Sequence, residues 1–478
     1  MSSQYQLTGA SASEIVASVE RGVADGALAP GARLPSVRAL ATRLDVSPTT
    51  VAAALAELRR RGVVVSRPRS GTRIGERPPL SAGRAAPLVP AGTRDLATGN
   101  PDPALLPDLA AALPALAPPR RRYGDPSVDP ELAAIALRSF AAAPDRTAPL
   151  DDDDAATHDA AIPDRSAPSG SDDAAQETGA PVPCRVCVVN GALDGIERVL
   201  AAQLRPGDAV AVEEPGWPGV HDLVRALSLR PIGVALDARG MRPESLARAL
   251  GDGARAVVLT PRAQNPLGAA HDGERAAALR AVLAGAPDAL LVEDDHLGPV
   301  GGAPWHSATG ASARWAIVRS LSKWLGPDLR CAVVVGDEQT LTRVEGRQSL
   351  GPGWVSGVLQ RLAATLWADP ETPRLIARAS AAYAERRAAL LDALAAHGIA
   401  ATAPSGLNVW VPVPDEDAAV RALLASGAAV AAGARFRLAG AGPGALRVTT
   451  AALAPADAPA LAATIAGASR PAPRTHAA

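Results

Sequence analysis

Lysine is almost missing from this chain: of its 48 basic side chains only Lys323 is a lysine, and the rest are arginine. Aromatic residues are scarce too, with 7 Trp, 3 Tyr and 2 Phe in 478 residues, so any core must be built from Leu, Val and Ala, and an aromatic beside a motif stands out. Three cysteines are too few for a disulfide scaffold. The one close pair, Cys184-x-x-Cys187, lies in a strand-like run without a second ligand pair, which argues against a zinc or redox site. No metal site is expected. No uncharged apolar run approaches the length of a membrane span, and Met1-Ser2-Ser3-Gln4 opens with neither a basic nor an apolar signal region. A cytoplasmic protein without membrane association is the expectation.

What is present suits a globular chain of two or more domains: 47% of residues are apolar and 20% charged, enough to bury substantial cores. The net charge of −1 hides an uneven distribution. Residues 1–75 carry ten arginines against five acids, and residues 145–177 carry ten acids against two arginines. A basic module at one end is the electrostatic footprint of a DNA-binding domain. The single lysine is informative because arginine cannot shed its proton, whereas a desolvated lysine can become a neutral nucleophile and condense with an aldehyde. A Schiff-base role for Lys323 stands against compositional drift in an arginine-rich sequence.

The N-terminal residues read as a winged helix-turn-helix. Ile15, Val16, Val19 and Val23 share one helical face over residues 12–25. A second helix starts at Ser36, a good N-cap, with Val37, Leu40, Ala41 and Leu44 inward, and ends near Asp45-Val46. A third opens at Ser47 with Pro48 in the first position and Val51, Leu55 and Leu58 inward. The tight turn between them presents Ser47, Thr49 and Thr50 to a major groove. Val63-Val64-Val65 and Ser66 to Ile74 then form a hairpin whose Arg67, Arg69 and Arg73 can reach phosphates or a minor groove. The alternative is a helical cap with solvated arginines.

The run from Gly26 to Arg38, with Leu44-Asp45-Val46-Ser47 and Thr50-Val51, resembles the winged helix of GntR-type bacterial transcription regulators. The resemblance implies double-stranded DNA as partner, contacted by Arg33, Ser36, Arg38, Arg43, Ser47, Thr49, Thr50, Arg67, Arg69 and Arg73. Pro48 departs from the pattern: such proteins often carry an arginine after the serine that starts the reading helix. Here the arginines remain as phosphate anchors.

Residues 76–94, rich in Pro, Ala and Gly, read as an interdomain linker. A second segment of low complexity, about 141–180, carries Asp151 to Asp154 and reads as a disordered acidic loop inserted in a folded domain; an acidic strip that imitates DNA is the other reading. The last residues, 471–478, read as a disordered tail.

From 185 onward, Val-rich runs at 185–190, 209–214, 231–236, 256–260, 289–295, 315–322 and 330–337 alternate with helical stretches at 193–204, 220–229, 242–251 and 273–285. Such alternation predicts a mainly parallel sheet with helices on both faces and a ligand site at the strand C-termini. Conspicuous residues follow the strand ends: Asn190-Gly191-Ala192, Glu214-Pro215-Gly216-Trp217, Asn265-Pro266, Asp294-Asp295-His296 and Lys323. A helix at 381–397, a strand at 407–412, a helix at 416–425 and a strand at 445–450 suggest a smaller C-terminal α+β domain. Gly440 to Gly444 lacks the strand-then-helix context of a dinucleotide loop.

In this order the strand-end residues resemble the cofactor site of fold-type I pyridoxal 5'-phosphate enzymes, the aspartate-aminotransferase superfamily, over roughly 95–470. The resemblance implies that Lys323 forms the internal aldimine, Asp294 pairs with the pyridine nitrogen, Asn265 bonds the phenolic oxygen and Trp217 stacks on the ring. Gly191, Ala192, Ser320 and Arg330 would hold the phosphate, joined by Tyr123 from a partner subunit, and Arg447 would bind a substrate carboxylate. Two departures are visible. Ala192 lacks a hydroxyl for the phosphate, and His296 stands where relatives carry a tyrosine, bringing a group expected to titrate near neutrality.

A GntR-type reader ahead of an aminotransferase-like domain resembles the layout of MocR-type regulators. The expectation is a transcription factor that senses pyridoxal phosphate, or an amine or amino acid forming an aldimine with it, and acts as a head-to-tail homodimer. The alternative is a working aminotransferase with an accessory DNA-binding module; a DNA-binding protein with an empty large domain is a third reading.

Overall fold

The computed structural model describes residues 7–24, 27–29, 31–60, 63–67, 71–75, 89–116, 120–141, 185–438 and 442–468. The cysteine at 184, Arg69, the acidic segment beyond Ala141, the C-terminal tail and most of the expected linker lie outside the described residues.

The N-terminal module is three helices and a hairpin: α1 (Ala12–Ala24), α2 (Val37–Leu44), α3 (Pro48–Arg60), β1 (Val64–Arg67) and β2 (Gly71–Ile74). Its small core gathers Ile15, Val16, Val19, Leu40, Val51, Leu55 and Leu58 with Val64 and Ile74, the periodic positions of each helix together with the inner face of the hairpin. Ser36 caps α2, its Oγ accepting from Ala39 N at 3.2 Å, and Asp45 ends that helix in the left-handed region (φ +52°), its N–H on the Ala41 carbonyl. Ser47 then caps α3, accepting from Thr50 N at 3.0 Å. Two caps and a three-residue turn thus fix the angle between the helices.

The chain passes through β3 (Arg94–Leu96), α4 (Leu109–Ala112) and α5 (Pro130–Ala141) before the large domain alternates. There β4 (Arg185–Val189), α6 (Ala192–Gln203), β5 (Ala209–Glu214), α7 (Pro218–Ala226), β6 (Arg230–Asp237), β7 (Gly240–Met241), α8 (Pro243–Gly251), β8 (Ala254–Leu259), α9 (Gly273–Ala284), β9 (Leu290–Asp295), β10 (Trp315–Ser320) and β11 (Ala332–Gly336) follow. The eight strands form one sheet in the order β4-β11-β10-β9-β8-β5-β6-β7. The five central strands β10, β9, β8, β5 and β6 are parallel, while β11 is antiparallel to both its neighbours. Apolar layers cover both faces of the sheet, which is why its strands read as unbroken Val/Leu/Ala runs.

The remaining elements are α10 (Glu338–Ser349), α11 (Gly357–Ala368), α12 (Glu371–Ala396), β12 (Asn408–Pro412), α13 (Glu416–Ala425), β13 (Ala428–Ala432), β14 (Ala445–Thr449) and α14 (Ala458–Ala468). A four-stranded sheet, β12-β14-β13-β3, packs with α12, α13 and α14. Two boundaries differ from expectation. Helix α12 begins ten residues before 381, its polar first half lacking a strong apolar stripe; and β3 starts inside the expected linker, pairing parallel with β13. Among the described residues no helix is long and apolar enough to cross a membrane, and no cluster of potential metal ligands occurs.

Candidate functional site

On the N-terminal module most of the expected DNA-facing groups that are described lie at the surface. Arg33, Arg38, Arg43, Ser47 and Thr49 are exposed and Thr50 is half-buried. The three hydroxyls form a cluster, with Ser47 Oγ 2.6 Å from Thr49 Oγ1 and 2.8 Å from Thr50 Oγ1, so Ser36 and Ser47 serve as helix caps as well as surface groups. Arg73 donates to the Gly31 carbonyl at 2.9 Å and fastens the wing to the loop before α2. Arg33 lies against the wing turn, 3.1 Å from where a Cβ on Gly71 would stand. Arg67 ends β1.

In the large domain the parallel strand ends converge as expected of this topology. A pocket between β5, α7, β8 and β9 is lined by Glu213, Trp217, His221, Thr260 and Asp294, among others. Asp294 is 3% exposed, and its Oδ1 is buried without a hydrogen-bond partner. Burial, aided by the neighbouring carboxyls of Glu213 and Asp295, pushes its pKa up to about 8. Asp295, one residue on, points the other way and is held well below the carboxylate range by two guanidinium groups. Arg262 grips it through both oxygens at 2.8 and 2.9 Å, and Arg319 donates at 2.6 Å. Adjacent aspartates are thus driven apart by environment, one a structural anion and the other a buried acid awaiting a partner.

Lys323 is half-buried, and its Nζ donates to the Gly99 carbonyl at 2.7 Å. Burial, with the nearby charges of Arg447 and Arg330, draws its pKa down to about 8, so a useful fraction is a free amine near neutral pH. Arg447 is 5% exposed. It donates to the Ala97 carbonyl and, at 3.4 Å, to Asn265 Oδ1, and its Nε has no partner. Burial and the neighbouring Arg435 lower its pKa to about 10, which leaves it cationic at neutral pH.

The start of α6 lies beside Arg330. Gly191 caps α6 at φ +96° with no side-chain cap, so the first N–H groups of the helix, from Ala192 onward, have no side-chain acceptor. Glycine suits the position because φ +96° strains any side chain, and a Cβ would stand 2.6 Å from Nη2, the movable end of the Arg330 side chain. Arg330, itself in the left-handed region at φ +45°, thereby reaches the helix start, donating to Asn190 O at 3.3 Å. Ser320 is buried, its Oγ accepting from Ser322 N at 3.3 Å. Tyr123 stands apart, 95% exposed and edge-to-face with Trp354 at 5.6 Å.

One expectation needs correction. His296 does not titrate near neutrality: burial depresses its pKa to about 4. Its Nε2 lies 2.9 Å from the Ala263 carbonyl, an acceptor, so the neutral ring spends its N–H there and offers an unprotonated Nδ1. Three groups escaped sequence reasoning, namely Glu213, the Gln264 amide that joins it to the Asn265 loop at 3.1 Å, and the Arg262–Asp295–Arg319 triad. The doubled acids at 213–214 and 294–295 were the available signal. Cys187 and Cys331 are buried thiols, pushed up to about 12 by burial, and are inert.

Both parts of the chain match known families. Residues 11–74 match the model for bacterial regulatory proteins of the gntR family, and residues 176–465 match aminotransferase class I and II. The solved structures that resemble it include an archaeal alanine:glyoxylate aminotransferase, at TM-score 0.65 and 20% identity, covering 79% of this chain and 90% of that one, a likeness of fold. A winged helix-turn-helix joined to a fold-type I aminotransferase domain defines the class: a DNA-binding transcription regulator with an aminotransferase-like domain. The chain belongs to the MocR-type regulators of the GntR family. It is 36% identical over 446 residues to the vitamin B6 salvage pathway transcriptional repressor PtsJ of Salmonella typhimurium, covering 93% of this chain and 95% of that protein. The HTH-type transcriptional regulator TauR of Rhodobacter capsulatus is 30% identical, with 87% and 88% covered.

Proposed function

We propose that this regulator binds pyridoxal 5'-phosphate in the large-domain pocket and changes its grip on DNA according to what occupies that pocket. The observation that carries the reading is the buried, unpartnered Oδ1 of Asp294, set in one pocket with Trp217 in a chain with a single lysine. A desolvated carboxyl without a partner is costly, and a pyridinium nitrogen is the missing group. The rest of the donor set fits the same molecule. The α6 N-terminus, Ser320 and Arg330 suit a phosphate, Asn265 suits the phenolic oxygen, and Trp217 suits the ring face. When bound, pyridoxal phosphate supplies an aldehyde that Lys323 can attack and an electron-withdrawing ring.

The chain's own residues do the remainder. Arg447 offers a buried cation to a carboxylate, so the effector is an amino acid or an amine bearing an acid group. Entry of that carboxylate displaces the Ala97 carbonyl from Arg447, and this loop follows β3 at the start of the small domain. The change is thereby delivered to the stretch that leads back to the DNA reader. The neutral His296 adds no further cation to those of Arg447 and Arg330 near Lys323. Tyr123, exposed with Trp354 beside it, fits a head-to-tail homodimer in which it serves the partner's phosphate, and the protein works in the cytoplasm on double-stranded operator DNA.

The test is operator affinity measured with and without pyridoxal phosphate and candidate amino acids. Affinity that changes supports sensing; affinity indifferent to all of them contradicts it. Steady multiple-turnover transamination with a keto acid would instead favour a working aminotransferase, for which the presence of Lys323, Asp294, Asn265 and Arg447 is the supporting observation.

A further inference from the structure

Glu213, the penultimate residue of β5, is 6% exposed, and its carboxyl accepts three donors. Thr260 N reaches Oε1 at 2.9 Å, while Thr260 Oγ1 and Gln264 Nε2 reach Oε2 at 2.9 and 3.1 Å. The Thr260 N–H and the Gln264 amide N–H can only donate and the Thr260 hydroxyl is placed to donate as well, so the surroundings favour the carboxylate form, yet among the described residues no arginine or lysine forms a salt bridge with it. A buried anion without a counter-ion is expensive. It lines the same pocket as the unpartnered Oδ1 of Asp294. Gln264 passes its hold onward: Nε2 also donates to the Pro215 and Asn265 carbonyls at 3.0 and 3.1 Å, and Oε1 accepts from Leu267 N at 3.0 Å. One carboxylate therefore fixes the loops that carry Trp217 and Asn265.

We infer that Glu213 is a second counter-charge for a protonated aromatic ring nitrogen, a positioning residue that acts through Asp294 and strengthens the hold on the proton shared between Asp294 and that ring. The inference rests on reading the pocket as a pyridoxal phosphate site. The other groups facing the pair are few. Asp295, from β9, is neutralised by Arg262 and Arg319; His221, from α7, has Nε2 2.9 Å from the Glu213 carbonyl oxygen; Thr260 and Trp217 carry no charge. Burial raises Glu213 to about 7 and Asp294 to about 8, so Glu213 is ionised over the alkaline range in which the shared proton would leave. Removing its charge weakens attraction for that proton, and the proton then leaves at lower pH.

The experiment is a visible-absorbance titration of the full chain with pyridoxal phosphate at a series of pH values from about 6 to about 10. Wild type is compared with Glu213→Gln, Glu213→Asp and Thr260→Val. The expected result is that Glu213→Gln moves the alkaline fall-off of binding down by on the order of one pH unit, the scale of a neighbouring-charge effect. Glu213→Asp keeps the wild-type position, and Thr260→Val, which removes one donor to the carboxylate, moves the fall-off the same way by less. Weaker binding at every pH with an unmoved fall-off in both Glu213→Gln and Thr260→Val would reduce Glu213 to a hydrogen-bonding hub and overturn the inference. Wild-type protein that takes up no pyridoxal phosphate would overturn the reading of the site itself, a different and separately visible failure.

Discussion

Asp294→Asn should make the protein more stable and its pocket weaker at once. The carboxyl's pKa is raised from an ordinary 3.8 to about 8 by burial first and by Glu213 and Asp295 next. A group whose folded pKa lies above its unfolded one contributes stability fully below the unfolded value and loses that contribution as pH rises through the folded value. Without cofactor, then, wild type carries a growing penalty between about pH 4 and pH 8 from this residue, and the amide variant does not. Thermal unfolding of cofactor-free protein should therefore favour Asp294→Asn at pH 8.5, and the difference should shrink as pH falls toward about 4. Cofactor binding should move in the opposite direction. A charge-assisted hydrogen bond to a buried carboxylate is worth about 1.5–3 kcal/mol, and each 1.4 kcal/mol is about tenfold. The dissociation constant for pyridoxal phosphate should thus rise by roughly 10- to 100-fold, read by absorbance titration. Unchanged affinity, or a variant less stable than wild type at pH 8.5, would refute the reasoning, since either would mean that Asp294 is not held ready for a cationic partner.

Three further outcomes are expected. Arg447→Leu should leave uptake of pyridoxal phosphate within a few-fold of wild type but weaken the spectral response to amino acids by roughly 10- to 100-fold, the scale of a charge-assisted contact; an intact response would remove Arg447 from effector binding. Arg319→Leu strips Asp295 of one of two buried partners and the aromatic groove of Phe140 and Trp305 of its cation, 4.0 and 5.0 Å from the ring centres. It should cost about 3 kcal/mol, seen as a lower urea midpoint. Ser47→Ala removes the α3 cap and should cost the N-terminal module about 1 kcal/mol, weakening operator binding even though the serine also faces outward; equal melting of that module would make the cap unimportant.

Much of this was legible because local chemistry and tertiary role coincide. Ser36, Ser47 and Pro48 mark helix starts in any context, and the Val-rich runs of the large sheet are buried on both faces, so their apolarity is continuous. Lys323 was conspicuous through rarity, and Gly191 through the turn it must make. Other features depend on what the chain folds against. Helix α12 starts early because its first half docks with little apolar patterning, and β3, three residues long, is a strand only through pairing with β13. The reversed direction of β11 leaves no mark on a Val-rich run. At the site, residue types were readable but protonation was not. His296, Asp294 and Asp295 are ordinary letters whose pKa values diverge through burial and through arginines up to 33 positions away in sequence. Glu213 stayed hidden because its partners, Thr260 and Gln264, lie about fifty residues beyond it.

In the proposed function Lys323, through pyridoxal phosphate, governs binding to the double helix. The most direct measurement takes purified wild-type and Lys323→Ala protein, adds pyridoxal phosphate, and follows affinity for an operator duplex that the protein itself selects from random DNA, with borohydride reduction and peptide mass mapping in parallel. Wild type should show a single reduced adduct at Lys323 and an operator affinity that depends on pyridoxal phosphate, and Lys323→Ala should lose the adduct and the dependence together. Wild-type protein that carries no adduct, or whose affinity ignores the cofactor, would contradict the account.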